Sequence, residues 1–135
     1  MAFWILKTEP DCYAFADLER EQVTIWDGVA NPQALNNLRQ MQPGDQALIY
    51  HTGDERAAVG LAEIVSGPYA DPALADPRRV VVDVRAIRRL KQPIPLAAIK
   101  ADPAFAQFGL VRQGRLSVVP VSDDLWQRLM AMERG

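Results

Sequence analysis

The 135-residue chain has one cysteine, Cys12, and one histidine, His51. A lone thiol cannot form an intrachain disulfide, and one Cys with one His cannot assemble a zinc site. The sequence therefore fits a reducing, cytoplasmic setting and implies no metal. Long hydrophobic runs are also missing. The apolar start MAFWILKTEP is broken by Glu9 and Pro10, well short of the roughly 20 residues a membrane helix needs. It has neither the basic head nor the small-residue cleavage site of a signal peptide, so no membrane partner is expected. Excess positive charge is absent too: 15 Lys+Arg stand against 17 Asp+Glu, a net charge of −2. Binding to nucleic acid by bulk electrostatics grows with each phosphate neutralised, so such a partner must be caught by a local site. No Gly-rich phosphate loop, nucleophile elbow, HExxH motif or specific carboxylate pair occurs, and nothing implies a cofactor.

What remains is the composition of a globular domain, 49% hydrophobic and 24% charged, expected to span residues 1–135. Surface scaling gives it about 7,000 Å² of exposed area, enough burial for a core without staples. Phe3 to Thr8 predicts a strand that turns polar at Lys7, Thr8 and Glu9 before Pro10 ends it. A short helix is expected over Ala14 to Glu21, then a strand Val23-Thr24-Ile25-Trp26 and a break at Asp27-Gly28. Asn31 and Pro32 are suited to the cap and first position of a helix whose Leu35, Leu38 and Met41 share one face. Ala47 to Thr52 and Ala58 to Val65 read as strands, and the proline-rich GPYADPALADP, from Gly67 to Pro77, as a surface loop. Arg79 to Ile87 alternates as a half-solvated strand, flanked by the basic residues Arg78, Arg79, Arg88, Arg89 and Lys91. Helical turns are expected over Pro95 to Ala101 and Pro103 to Phe108, a last strand over Arg115 to Val121, and a helix capped by Ser122. Strands separated by short helices, without repeats or linkers, predict a compact α+β domain with a curved or barrel-like sheet.

Polar and aromatic residues gather at the predicted strand ends: Lys7-Thr8-Glu9-Pro10, Trp26-Asp27-Gly28-Val29, Tyr50-His51-Thr52 and Arg115-Leu116-Ser117. Trp26 is either a core tryptophan or a wall of a site. Gly28 lets backbone approach a flat ligand, and the helix opening at Asn31 could face a phosphate. Tyr50 and His51 are either a core pair or site residues, only one of which can face a given pocket. Lys7 and Glu9 share a strand face and could form a solvated ion pair.

The segments WILKTEPDCY, TIWDGVANPQALNNLR, PGDQALIYHTGD, AAVGLAEIV and QGRLSVVPVS, in this order and spacing, resemble the EVE domain family over essentially the whole chain. The resemblance implies a PUA-like fold: a small mixed β-barrel with short helices plugging its ends. It also implies a reader of modified nucleobases such as 5-methylcytosine, 5-hydroxymethylcytosine or N6-methyladenine, in DNA or RNA or as a free nucleoside. On that resemblance Trp26 would wall a base pocket, and Lys7 and Thr8 would reach the base edge. Tyr50, His51 and Thr52 would line the opposite side, and Leu116 and Ser117, next to Arg115, would complete the floor. A flipped base is held by stacking on aromatic faces and by hydrogen bonds to its edge.

The chain departs from the family pattern at Ala30, where many members carry arginine, and at Pro32, where tyrosine is frequent. This predicts weak phosphate gripping by that loop and weakly salt-dependent binding. Two other classes of function are open at this stage. One is an amidohydrolase of acylated cytidine-type nucleosides, like ASCH enzymes, using Lys7, Thr8 and either Glu9 or Glu63. The other is a protein-interaction domain with an exposed apolar patch.

Overall fold

The computed structural model describes residues 1–135. In chain order the elements are β1 (Phe3–Thr8), α1 (Phe15–Glu21), β2 (Val23–Trp26), α2 (Pro32–Arg39), β3 (Gln46–His51), β4 (Ala57–Ala70) and β5 (Val80–Pro95). There follow α3 (Leu96–Ala101), a 3-10 turn (Pro103–Phe105), α4 (Gly109–Arg112), β6 (Val118–Val121) and α5 (Asp123–Arg134). The strands form one six-stranded mixed sheet in the order β2-β5-β4-β3-β1-β6. β1 and β3 run parallel, because α1, β2 and α2 intervene and carry the chain back to the starting end. The other neighbouring pairs are antiparallel. The sheet curls until β2 at one end and Ser117, just before β6 at the other, line a common cavity.

Burial follows the predicted periodicities. Ile5, Leu6, Leu48, Ile49, Ile64, Val82 and Val84 are inside the sheet, and Leu35, Leu38 and Met41 seat α2 on it. Asn31 caps α2 by accepting from the amides of Gln33 and Ala34 at 2.9 and 3.0 Å. Ser122 caps α5 by accepting from the Leu125 amide. The accessible surface is 7137 Å², in line with the scaling.

Three expectations need correction. The segment read as a loop from Gly67 is β-structure as far as Ala70. Its proline sits where the ladder with β5 shifts register between Ser66 and Tyr69, a bulge at which no amide donor is needed. Ser66 and Tyr69 both donate to the Asp83 carboxylate across this irregularity. The last strand begins only at Val118; Arg115, Leu116 and Ser117 belong to the preceding turn. The helical turn expected over Pro103 to Phe108 stops at Phe105, and Phe108 instead precedes α4. Of the basic residues near β5, Arg88 pairs with Glu133 and Arg89 with Glu19.

Candidate functional site

The cavity lies in the seam that the sheet leaves between β2 and the β1–β6 pair, and its volume is about 520 Å³. Trp26 closes β2 and is 6% exposed, so it is a core residue with one edge on the cavity. Its ring meets that of Tyr13 edge-on, with centroids 6.1 Å apart and planes at 86°. The Tyr13 hydroxyl donates to Glu21. Burial and then that carboxylate push the phenol up to about 12, so it stays a neutral donor that fixes the aromatic corner.

The polar side of the cavity is built by the end of β1. The Lys7 ammonium donates to the Gly114 carbonyl at 2.9 Å and lies 5.8 Å from the centroid of the Tyr50 ring. No carboxylate pairs with it, and burial lowers its pKa. The Thr8 hydroxyl donates to the Tyr13 carbonyl at 2.7 Å and so ties the strand end to the aromatic corner. Ser117 reaches the cavity because its carbonyl accepts from the Lys7 amide at 2.9 Å, one step beyond the β1–β6 ladder. Gly28 belongs to the lining and has φ +80°, a backbone conformation that L side chains rarely adopt. Nothing lies within 4 Å of a Cβ built there, so its backbone conformation, rather than crowding, requires glycine.

Backbone groups add to this. The Ala86 amide donates to the Gln22 carbonyl at 2.9 Å, which makes these opposed residues a bonded pair. The alternation of an antiparallel ladder then gives Thr24 and Trp26 to β5 and turns the N–H and C=O of Ile25 toward the open seam.

Lys7, Thr8, Trp26, Gly28 and Ser117 are thus brought together as the sequence suggested. Tyr50, His51 and Thr52 are not. β3 is paired through His51 on both sides, by β1 and by β4, so its end supports the site from behind, whereas the β6 ladder on β1 stops at Leu6 and leaves Lys7 and Thr8 beside the cavity. Tyr50 is 3% exposed beneath Lys7. The His51 Nε2 accepts from the buried Phe15 amide at 3.0 Å, which leaves the proton on Nδ1 to donate to Glu55 at 2.9 Å. Thr52 bonds Glu9 and the Thr8 carbonyl. Asn31, Arg115 and Leu116 also lie elsewhere, on a separate cavity of about 270 Å³. The Asn31 side chain is spent on capping α2, and Leu116 is buried.

The residues that sequence reasoning missed are Cys12, Tyr13, Thr24 and Ile25, while Asp27 and Val29 stood in the Trp26-Asp27-Gly28-Val29 cluster without an assigned role. Thr24 was within reach, since it shares a strand face with Trp26 two positions on. The carboxylates needed by the hydrolase reading are not in the cavity: Glu63 pairs with Arg85 across the β4–β5 ladder, and Glu9 accepts from Thr52.

Sheet order, short helices and seam cavity together define a mixed α+β fold of the PUA-like kind. ASCH from Zymomonas mobilis shares it at a TM-score of 0.60 and 13% identity, over 96% of this chain and 94% of that one, a likeness of fold alone. The EVE domain model matches residues 2–132, and the chain belongs to that family. It is 30% identical to human thymocyte nuclear protein 1 over 164 aligned positions, covering 96% of this chain and 73% of that protein. The NMR structure of a Rhodopseudomonas palustris protein superposes with a TM-score of 0.94 at 35% identity, over 99% of this chain and 94% of that one. The human THYN1 protein, crystallised in complex with 5-methylcytosine-containing DNA, superposes with a TM-score of 0.92 at 29% identity, over 100% and 99%.

Proposed function

We propose that the seam cavity binds a modified nucleobase of the 5-methylcytosine type, turned out of a nucleic-acid strand. The observation that carries this reading is the union, in one cavity of about 520 Å³, of a tryptophan edge with the Lys7 ammonium, which makes no salt bridge, and the backbone edge at Ile25. A cytosine edge offers an amino donor next to ring-nitrogen and carbonyl acceptors. The Ile25 carbonyl suits the amino group, and the Ile25 amide and Lys7 suit the acceptors. Trp26 and Tyr13 supply an apolar aromatic wall against which a base packs. The relative crystallised with 5-methylcytosine DNA supports the choice of base.

The test is titration of short oligonucleotides that differ only in one central base, cytosine or 5-methylcytosine. Tighter binding of the methylated strand is expected. In Trp26→Phe, which keeps an aromatic core residue but shortens the wall, the preference should shrink severalfold while the fold persists. Equal affinity for both strands in the wild-type protein would refute the reading.

A further inference from the structure

Ala30, the position at which the resemblance led to an expectation of arginine, lines a second cavity, of about 390 Å³, that is rich in arginine. Arg39, from the last turn of α2, and Arg78 and Arg79, from just before β5, face it above a floor of Pro32 and Leu35. Asp76 is the one carboxylate there and is taken by Arg78 at 3.1 Å. Arg39 and Arg79 have no carboxylate partner: an Arg39 terminal nitrogen donates to the Arg78 carbonyl at 2.7 Å, and the Arg79 Nε donates to the Val29 carbonyl at 3.0 Å. Both guanidinium groups keep donors free. Three arginines against one aspartate leave an excess of positive charge in this groove on a chain whose net charge is −2.

The groove adjoins the base cavity. Val29 lines the first and Ala30 the second, and consecutive Cα atoms are about 3.8 Å apart. The Val29 carbonyl that receives Arg79 is therefore part of the partition between them.

We infer that this groove is an anion site for the phosphodiester next to the bound nucleotide, with Arg39 and Arg79 as its donors. The inference rests on the base-binding reading for the identity of its ligand. Arginine suits the task because its planar fork gives two parallel bonds to phosphate oxygens. On this inference, salt dependence is stronger than the sequence alone predicts, because the charge absent at Ala30 is supplied from α2 and from the segment before β5. Arg79 also holds the wall of the base cavity, so the clean probe is Arg39, which is exposed and away from that wall.

The experiment measures affinity for a short single strand with one central 5-methylcytosine, and for free 5-methyl-2′-deoxycytidine, between 50 and 200 mM salt. Each phosphate left without its cation should make the slope of log affinity against log salt shallower by about 0.7, so the deficit of Arg39→Gln should be about 2.6-fold greater at 50 than at 200 mM. Arg39→Lys should recover the slope, and nucleoside affinity should not change in either variant. An unchanged slope in folded Arg39→Gln, with methylated strands still preferred, would overturn the groove while leaving the base reading intact. An Arg39-dependent slope with no preference for the methylated strand and no nucleoside binding would sustain the groove and overturn the base reading. Failure of any strand to bind at 50 mM salt would overturn both.

Discussion

His51 is the residue at which structural support and ligand binding make opposite forecasts. It is 6% exposed, and its Nε2 is the acceptor for the Phe15 amide, the first of α1. First-turn amides have no partner within their own helix, and the residue before Phe15 is Ala14, whose side chain cannot cap. His51 therefore caps α1 from across the sheet. His51→Leu has a similar size but no acceptor, so it leaves a buried N–H unpaired beside a fully buried Phe15. Stranding such a donor costs about 1 to 3 kcal/mol. The second bond, to Glu55, adds little because that carboxylate is 44% exposed. A loss of about 2 kcal/mol in a chain of this length lowers Tm by roughly 8 °C. Denaturant melts should show a lower midpoint at unchanged slope, and hydrogen exchange should show weaker protection at Phe15 and along α1. Ligand affinity measured well below the new midpoint should fall less than that of Trp26→Phe. Undiminished stability with abolished binding would show that His51 touches the ligand and that the capping argument is wrong.

Two further outcomes concern titration. Glu133 is 1% exposed and receives Arg88 at 2.6 Å and the Lys91 amide at 2.7 Å. Arg88 first, and Lys91 after it, hold its carboxyl below the ordinary glutamate value, so its contribution is present above that value and is lost as pH falls through the lowered one. Glu133→Gln should be less stable than wild type at pH 7, with the gap closing in acid; a gap constant down to pH 3 would contradict the pairing. All three tyrosines titrate high: Tyr13 and Tyr69 are pushed up to about 12, chiefly by burial and by Asp83 respectively, and Tyr50 is raised by burial. The folded protein should therefore show little tyrosinate absorbance at pH 10 and the denatured protein about half its full signal. Because the folded values are raised, stability should decline as pH climbs past 10, and a half-complete rise at pH 10 in the folded state would refute the assignments.

The helices and strands most legible in the sequence were those whose signals are local. Asn31-Pro32 marked the start of α2 and Ser122 that of α5, since a cap is a property of neighbouring residues. What misled was distance along the chain. Pro68 reads as a loop residue until Asp83, 15 positions on, supplies the partner for Ser66 and Tyr69 that keeps β4 in the sheet. Tyr50-His51-Thr52 is polar at a strand end and so resembled a site. Whether a strand end is open depends on how far its neighbours run beside it: β3 is paired through His51 on both sides, while β6 leaves β1 at Leu6. Trp26 was open between core and wall, and both descriptions hold, because the side chain that closes the core also borders the seam.

That seam also accounts for the poverty of chemical motifs in the chain. Edge strands expose unpaired backbone donors and acceptors, a hazard that most folds cover or blunt. Here the two edges, β2 and β6, do not pair with each other: α2 covers β6, where Asn37 donates to the Val118 carbonyl, and the cavity opens beside β2 and the end of β1. A planar heterocycle placed there, as proposed, pairs with the Ile25 peptide group much as another strand would. Specific recognition then needs few side chains: an aromatic wall at Trp26 and Tyr13, a cation at Lys7 and the strand-end tie from Thr8 to Tyr13. A backbone edge cannot be deleted by substitution, so a series of single variants at polar lining residues should each retain part of the binding. The weakening should be greatest where the position of β2 itself is disturbed. Gly28→Ala provides that test, since it adds no clash within 4 Å but strains a backbone at φ +80° just beyond Trp26. Its effect on affinity should exceed that of Ser117→Ala. The reverse order would mean that the side chains, and not the strand edge, hold the ligand.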